Sequence, residues 1–450
     1  MESLSRRSFL RKLTLGSATA LGGGIIRAGQ IYEGSKIIEA DKIYRNGPAT
    51  IVDGRVIQPR REIPVICETD VLVVGGGCAG VMSALAAART GTKVTLVERY
   101  GCFGGLWTAG LVLIVLATHV ETDQGLKKCV RGIGDELLDR LLKIKGGIIN
   151  QGPGMRDPTS DPEATKYVMA EMLREAGVEI LLNSWVTNAV TEGSSIEGIL
   201  FESKAGCHAV TAKVVVDASG DGDVFGAAGA EHVRHIHRIG LVHRLGNVDR
   251  IAAGKPGGKK KLPDLSSNTP LPSVRWFNMQ GPQGDCLDIR TLTQCELDGR
   301  RAVWEKLKKI QQTPGRKQVF MLDTASQLGI RASRTLTGLH EVTFDETTAN
   351  KKYADVVAVG GAYTFVGNRA CQIPYRALVP VKIDNLLATG RCVAADNLML
   401  NYTRLIGPCL VTGHATGTAA ALAIDSKCRP RDVDVVKLQR LLKSQGAYLG

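Results

Sequence analysis

Histidine is the side chain best suited to move protons near neutral pH, and the eight histidines of this chain are unevenly spread. His232, His235, His237 and His243 crowd one short segment, while His414 stands alone near the C-terminal end. Alternation along a strand would put His235, His237 and His243 on one face, which leaves three readings open: metal ligands, a base or covalent cofactor tether, or incidental histidines on a surface strand. His414 is a candidate for contact with a cofactor or substrate, with helix capping or packing as the alternative. Arg331, Arg334, Arg376 and Arg404 present guanidinium forks that suit a carboxylate or another delocalised anion, or else structural ion pairs; of these, Arg331 and Arg404 join His414 as the catalytic candidates. Cys102 follows a glycine and could serve as a redox thiol. The 11 cysteines, from Cys67 to Cys428, show none of the spacings of zinc, dithiol or iron–sulfur sites, so neither a metal nor a cluster is expected.

These side chains need a scaffold, and glycine reveals it. The chain has 450 residues, and its 52 glycines are about 12% of the total against a usual roughly 7%. There is no Gly-X-Y period, so the excess serves tight turns and close backbone approaches. The aliphatic run Val71–Val74 leads into Gly75-Gly76-Gly77-Cys78-Ala79-Gly80 and then an Ala-rich stretch from Val81 to Thr90, which is the order strand, glycine turn, helix. Gly75 permits the turn, Gly77 lets the backbone approach a pyrophosphate, and Gly80 lets the helix pack on the strand. A second strand, Val94–Val97, ends in Glu98, whose carboxylate can accept from ribose hydroxyls, with Arg99 beside it. The flanking strands and this terminal acid predict a dinucleotide site.

Lys and Arg outnumber Asp and Glu by 57 to 44, a net of +13. The excess gathers in the first twenty residues and in the Lys255–Lys261 loop, without an aromatic-studded basic stripe, so nucleic acid is not an expected partner. Apolar runs fall short of the roughly 20 residues of a membrane span, which excludes a polytopic membrane protein.

FAD is favoured over NAD by the segments beyond Glu98. Gly104 and Gly105 extend the glycine-rich approach, and Val214–Asp223, containing Asp221, reads as a second nucleotide-contact turn of the kind that two-dinucleotide flavoproteins carry. Near the C-terminus, Leu386–Ala388 leads through Gly390-Arg391 and a loop at 405–409 to a small-residue helix opening at Gly413-His414 and carrying Gly417 and Thr418. A helix N-terminus aimed at the pyrimidine side of a flavin would stabilise the charge that appears there on reduction.

From about Val65 to Ala423 the chain resembles the FAD-dependent oxidoreductases of the glutathione-reductase/fumarate-reductase superfamily, and in particular the flavin portion of the heterodisulfide reductases. The resemblance runs through the first glycine turn, Asp161-Pro162-Glu163, Asp217–Asp223, Arg244–Asp249, Gly329–Arg334, Ile373–Arg376 and Gly390-Arg391-Cys392. It implies a discontinuous, Rossmann-like two-dinucleotide FAD-binding domain of the α/β class with a second α+β substrate domain. With a flavin bound, the expected activity is hydride transfer between a small organic substrate, anionic or neutral, and the flavin. The sequence departs from the family at Cys102 and at His235, His237 and His243, and the iron–sulfur motifs of the heterodisulfide enzymes are missing. A thiol–disulfide reductase, a flavin-binding electron carrier and a nicotinamide-binding lyase or biosynthetic protein remain as alternatives.

The N-terminal Ser5-Arg6-Arg7-Ser8-Phe9-Leu10-Arg11-Lys12, followed by a weakly apolar stretch to Ile26, resembles a twin-arginine export signal. It implies an exported, periplasmic protein that meets the twin-arginine machinery already folded around its cofactor. The expected layout is a signal over 1–30, a polar irregular lead-in over 31–66, and the FAD domain over 67–231 with a helical insertion at about 121–174. A substrate domain over 232–370, the last FAD segment over 371–428 and a tail over 429–450 complete it. Amphipathic helices are expected over Gly134–Lys145, over Ala164–Ala176 with Asp161 as cap, and over Leu292–Gln311. Glu179–Ala189, Gly198–Glu202 and Ala209–Val216 are expected to alternate as strands of a small sheet, and Gly254–Pro272 to form a loop.

Overall fold

Two runs of aliphatic residues, Val71–Val74 and Val214–Val216, are wholly or nearly wholly buried and lie side by side in parallel, Val71 opposite Val214 and Val73 opposite Val216. Strands buried on both faces read as continuous apolar runs because helices cover each side, and this pair forms the centre of the molecule. The computed structural model describes residues 49–152, 154–248, 266–278 and 281–450. The twin-arginine-like segment and the first half of the expected lead-in, 31–48, lie outside the described residues, as does most of the Lys-rich loop.

The chain divides into a unit ending at Pro59 and a larger one over Arg60–Gly450. In the first, Thr50–Val52 and Arg55–Ile57 pair as a hairpin around Asp53-Gly54, both with positive φ (48° and 72°). The expected irregular lead-in is thus partly a hairpin, and its signal was the Asp-Gly dipeptide between two β-branched runs.

The larger unit is built on a seven-stranded sheet. In chain order its elements are β1 (Val65–Val74), α1 (Cys78–Arg89), β2 (Val94–Val97), α2 (Ile133–Leu142), α3 (Pro162–Glu175), β3 (Glu179–Leu181), β4 (Trp185–Glu192), β5 (Ser195–Ser203), β6 (Gly206–Asp217), α4 (Ile289–Gln311), β7 (Leu386–Ala388), α5 (Ile406–Asp425) and α6 (Val435–Ser444). The sheet runs β4-β5-β6-β1-β2-β3, with β7 also pairing β6. The pairs among β1, β2, β3, β6 and β7 are parallel, while β4, β5 and the first half of β6 form an antiparallel meander. The expected small sheet over Glu179–Val216 is part of this larger one. Asn183, at φ 54°, breaks the expected strand Glu179–Ala189 in two, sending one piece to each edge of the main sheet.

Helix α3 starts as its Asp-Pro-Glu opening predicts: the Asp161 carboxylate accepts from Glu163 N and Ala164 N at 3.0 Å each, and Pro162 needs no donor in the first turn. The main core joins the sheet to α1, α5 and the inner faces of α2 and α3. Two smaller cores lie under α4, one around Ile239, Leu241 and Val303, the other around Leu245, Phe277 and Leu307. Ser266–Asn268, expected within the loop, is a strand pairing with Val274–Phe277. Among the described residues no helix is long and apolar enough to cross a membrane.

Candidate active site

The carboxyl ends of β1, β6 and β7 meet at one edge, and the chain turns sharply at each. Gly75 takes φ 102°, and a Cβ there would stand 2.5 Å from Ala218 O, so no other residue fits the turn. At Gly80 a Cβ would fall on the Gly75 carbonyl, which makes it the position that lets α1 close onto β1. A Cβ at Gly77 would meet nothing within 4 Å. Gly77 faces open space at the start of α1, the geometry in which free N–H groups and the helix dipole can receive a diphosphate. Residues 104–105 fold over this turn: Gly104 N donates to Gly76 O at 2.8 Å, and Gly104 pairs with Gly77.

Glu98, at the end of β2, accepts from Gly76 N at 2.5 Å and Tyr100 N at 2.8 Å. Burial raises its pKa despite these donors. It thus holds the turn in place as well as lining the cleft.

The cleft measures about 950 Å³ out to its mouth. Gly75, Gly77, Glu98, Arg99, Gly104, Gly105, Gly390, Arg391 and Arg404 all line it, from two stretches far apart in sequence, 75–105 and 390–404. Asp221 is buried behind this wall. Its carboxylate meets Arg391 Nη2 at 2.8 Å, Arg99 at 3.9 Å and the Ser333 hydroxyl at 2.6 Å. Burial would raise its pKa, but the Arg391 and Arg99 charges hold it below the usual range. Asp221 therefore positions two cleft-lining arginines and does not line the cleft itself. A side recess off the same corner is walled by Ser184, Trp185, Val186 and Asp223; burial and the neighbouring Asp221 and Asp217 charges push the Asp223 pKa up to about 6.

Three expected contacts lie elsewhere. Helix α5 begins at Ile406, not Gly413, and its first turn supplies Leu405, Ile406 and Cys409 to the cleft. Pro408, tolerated only in a helix's first turn, was the sequence signal for that start. His414 is consequently two turns inside the helix, buried, with Nε2 2.8 Å from Gln445 Oε1, and burial depresses its pKa. Gly417 packs on α1, where a Cβ would stand 2.7 Å from the carbonyl carbon and 2.7 Å from the Cα of Ser83. The Thr418 hydroxyl donates to His414 O at 2.9 Å. These three residues serve helix packing.

The histidine group also separates. His232, His237 and His243 sit on three short strands with different partners, and His235 lies between the first two. His235 Nε2 is 2.7 Å from the Thr335 hydroxyl, and His243 stacks on Phe277 with centroids 5.2 Å apart. Among the described residues no group of His, Cys, Asp and Glu stands ready to hold a metal. Arg334 and Arg376 are ion-paired, with Asp223 and Asp355. Arg331 follows the lining residue Ile330 in sequence but is not itself among the lining residues. Cys102 is not among the lining residues, whereas Cys78 and Cys409 both are, and the Cys409 thiol donates to Thr403 O at 3.5 Å.

Sequence reasoning missed the wall opposite the glycine turns: Leu106, Trp107, Val112, Ile114, Leu116 and Gln327. Three lining side chains keep a buried polar atom without a hydrogen-bond partner, namely Gln327 Oε1, Thr389 Oγ1 and Arg404 Nε. Buried polar atoms are normally satisfied, and orphans of both signs facing one cleft fit a large, polar, hydrogen-bonding cofactor.

Fold and cleft together define a dinucleotide-binding α/β protein of the flavoenzyme kind. The profile of the family described as FAD dependent oxidoreductase matches residues 70–237 and 246–442, and the chain belongs to that family. FAD is its cofactor, and it is an enzyme. The chain is 28% identical over 164 residues to thiamine thiazole synthase of Methanococcus vannielii, covering 34% of this chain and 57% of that one. It is 28% identical over 153 residues to digeranylgeranylglycerophospholipid reductase 2 of Methanopyrus kandleri, covering 34% and 38%. The matches thus span between 38% and 57% of these two curated relatives. Among solved structures, a geranylgeranyl bacteriochlorophyll reductase-like protein from Thermoplasma acidophilum aligns over 84% of each chain at 15% identity, with a TM-score of 0.44.

Proposed function

We propose that this protein is an exported oxidoreductase that transfers a hydride between a carbon of a small organic molecule and its flavin. When bound, FAD supplies the two-electron chemistry, and the protein supplies position and electrostatics. Gly77 and the N-terminus of α1 would hold the diphosphate, Glu98 the ribose, and Gly390, Arg391 and the first turn of α5 the flavin half. The observation that carries the reading is the far wall of the cleft. Val112, Ile114, Leu116, Ile330 and Leu405 enclose apolar space that a diphosphate does not need, and Gln327 and Arg404 bring polar atoms into it. An apolar compartment with a few convergent polar groups is how a small substrate is held and water excluded. Likeness to the flavin portion of the heterodisulfide reductases agrees with this architecture.

An anaerobic screen of hydroxy acids, sugars, polyols and unsaturated acids, followed by flavin absorbance, tests the reading. Bleaching or reoxidation by one class is the expected result; a flavin unmoved by every class refutes it. Export is tested by replacing Arg6 and Arg7 with Lys, which should hold flavin-loaded protein inside the cell, whereas export at the normal rate refutes it. The thiol–disulfide reading is favoured by the presence of both Cys78 and Cys409 in the cleft lining. Cys78→Ser would abolish turnover under that reading and spare it under the hydride reading.

A further inference from the structure

The apolar wall of the cleft is one stretch of chain used on both sides. Val112, Ile114 and Leu116 line the cleft, while Leu111 and Leu113 belong to a small core under α4 and Val115 to the main core. Alternate residues thus serve opposite sides, as along a strand. Both ends of the stretch are strained. Leu111 takes φ 52° and Ala117 φ 60°, left-handed conformations that non-glycine residues rarely adopt and that persist only where the surroundings impose them. The neighbouring segment 158–160 is one such constraint. Val115 N donates to Pro158 O at 2.8 Å, Ser160 N donates to Leu113 O at 3.1 Å, and Ile114 pairs with Thr159. The buried Ser160 hydroxyl also accepts from Trp107 Nε1 at 2.8 Å, so a further lining side chain hangs from the same segment.

That segment runs directly into Asp161, whose carboxylate has two tasks. Oδ1 caps α3, and Oδ2 lies 3.4 Å from Arg244 Nη1. Arg244 belongs to His243–Gly246, a strand paired with Phe320–Thr324, and is only 6% exposed. Its Nε and Nη2 donate to Asp323 at 3.0 and 2.6 Å, so one carboxylate fixes the guanidinium that the other meets. The helix cap is complete without Oδ2. The ion pair therefore ties the support of the cleft wall to the strands under α4, and does nothing for the cap itself.

We propose that Asp161 and Arg244 are positioning residues that set the width of the substrate compartment, and with it the bulk of the substrate admitted. The inference rests on the reading of the far wall as the substrate's side of the cleft, and adds what fixes its size. Without the ion pair, segment 158–160 can follow the relaxation of Leu111 and Ala117, and Trp107 and the wall move with it.

The test uses the flavin-loaded protein labelled with fluorotryptophan. Its four tryptophans give four fluorine resonances, that of Trp107 identified by its loss in Trp107→Phe. Asp161→Asn keeps the helix cap, since Asn caps about as well as Asp, and removes the charge that Arg244 meets. Its Trp107 line should shift or split while those of Trp185 and Trp304 stay in place. Arg244→Lys, which keeps the charge and loses the fork, should move the Trp107 line less, and should also move that of Trp276, which lies opposite Arg244 in register. Asp355→Asn breaks the pair with Arg376, which has no part in the wall, and should leave Trp107 unmoved. With the substrate found in the anaerobic screen, kcat/KM for an analogue one methylene larger, relative to the substrate itself, should rise by about tenfold in Asp161→Asn. A Trp107 line unmoved in both variants, equal movement of Trp185 and Trp304, or an unchanged ratio overturns the proposal. If Asp161→Asn does not fold, Arg244→Lys carries the same readouts. If no compound reduces or reoxidises the flavin, hydride transfer fails, and the Trp107 line still decides the positioning role.

Discussion

Gly417→Ala separates two roles for the C-terminal helix. Were Gly417 a cofactor contact, the change would weaken FAD binding and leave the apoprotein alone. The structure makes it a packing position: the new Cβ would stand 2.7 Å from two backbone carbons of Ser83. The Ser83 carbonyl oxygen is nearer still, at 2.1 Å, and ordinary contact begins near 3.4 Å, so α1 and α5 must part by about 1.3 Å, and a gap of even about 0.5–1 Å forfeits roughly a quarter to a half of the dispersion energy along the seam. The neighbouring Gly413, where a Cβ would stand 2.9 Å from Ala79 backbone carbons, shares the strain. Overpacking of this kind costs about 1–3 kcal/mol, occasionally more. Because backbone rather than a mobile side chain is struck, the upper part of that range applies. Replacing a mid-helix glycine by alanine returns about 1 kcal/mol in helix propensity, which leaves a net loss of about 2 kcal/mol. With an unfolding entropy of roughly 2.1 cal/mol/K per residue over about 390 residues, the apoprotein midpoint should fall by about 2–3 °C. Calorimetry of apo- and holoprotein checks it. An unchanged apo midpoint with lost FAD affinity would refute the packing assignment.

Gly77→Asp should abolish FAD binding at an apo midpoint within about 1 °C of wild type, since the side chain has open space and the carboxylate repels a diphosphate; retained flavin absorbance would contradict this. Asp221→Asn leaves Arg391 buried without its counterion and should cost about 3–5 kcal/mol in urea unfolding, with loss of flavin. His243 is fully buried, and burial pushes its pKa down from 6.5 to about 4. The unfolded chain therefore binds the proton first, so stability is complete above about pH 6.5 and falls as the pH drops toward 4, by up to about 3 kcal/mol. Urea midpoints between pH 7 and 4.5 should show the decline in wild type and less of it in His243→Phe.

The turn at Gly75–Gly80 was legible because strand, glycine spacing, helix and Glu98 sit within thirty residues and each constrains the next. The cleft's other walls were less so. The start of α5 was displaced because the small-residue pattern Gly413–Ala421 marks a tightly packed helix, and only Pro408 marks its beginning. The histidines read as one strand face, yet three short strands turn between them, with Gly240 closing the second. Which arginines lack carboxylates is decided by residues some hundred positions away, such as Asp223 for Arg334, and no local pattern carries that. Cys78 and Cys409 lie far apart in sequence and come to one cleft only when α1 and α5 pack.

The seam between α1 and α5 also sets a clock on synthesis. Ser83 Oγ donates to Gly413 O across 330 residues of sequence. At roughly 5–20 residues per second, a ribosome needs about 15–65 s to make the second helix after the first. For that interval the first glycine turn and its helix exist without the surface that buries them, and the cleft has only one wall. The nascent chain thus carries an Ala-rich face without its partner for much of its synthesis, the kind of transiently exposed apolar surface on which aggregation begins.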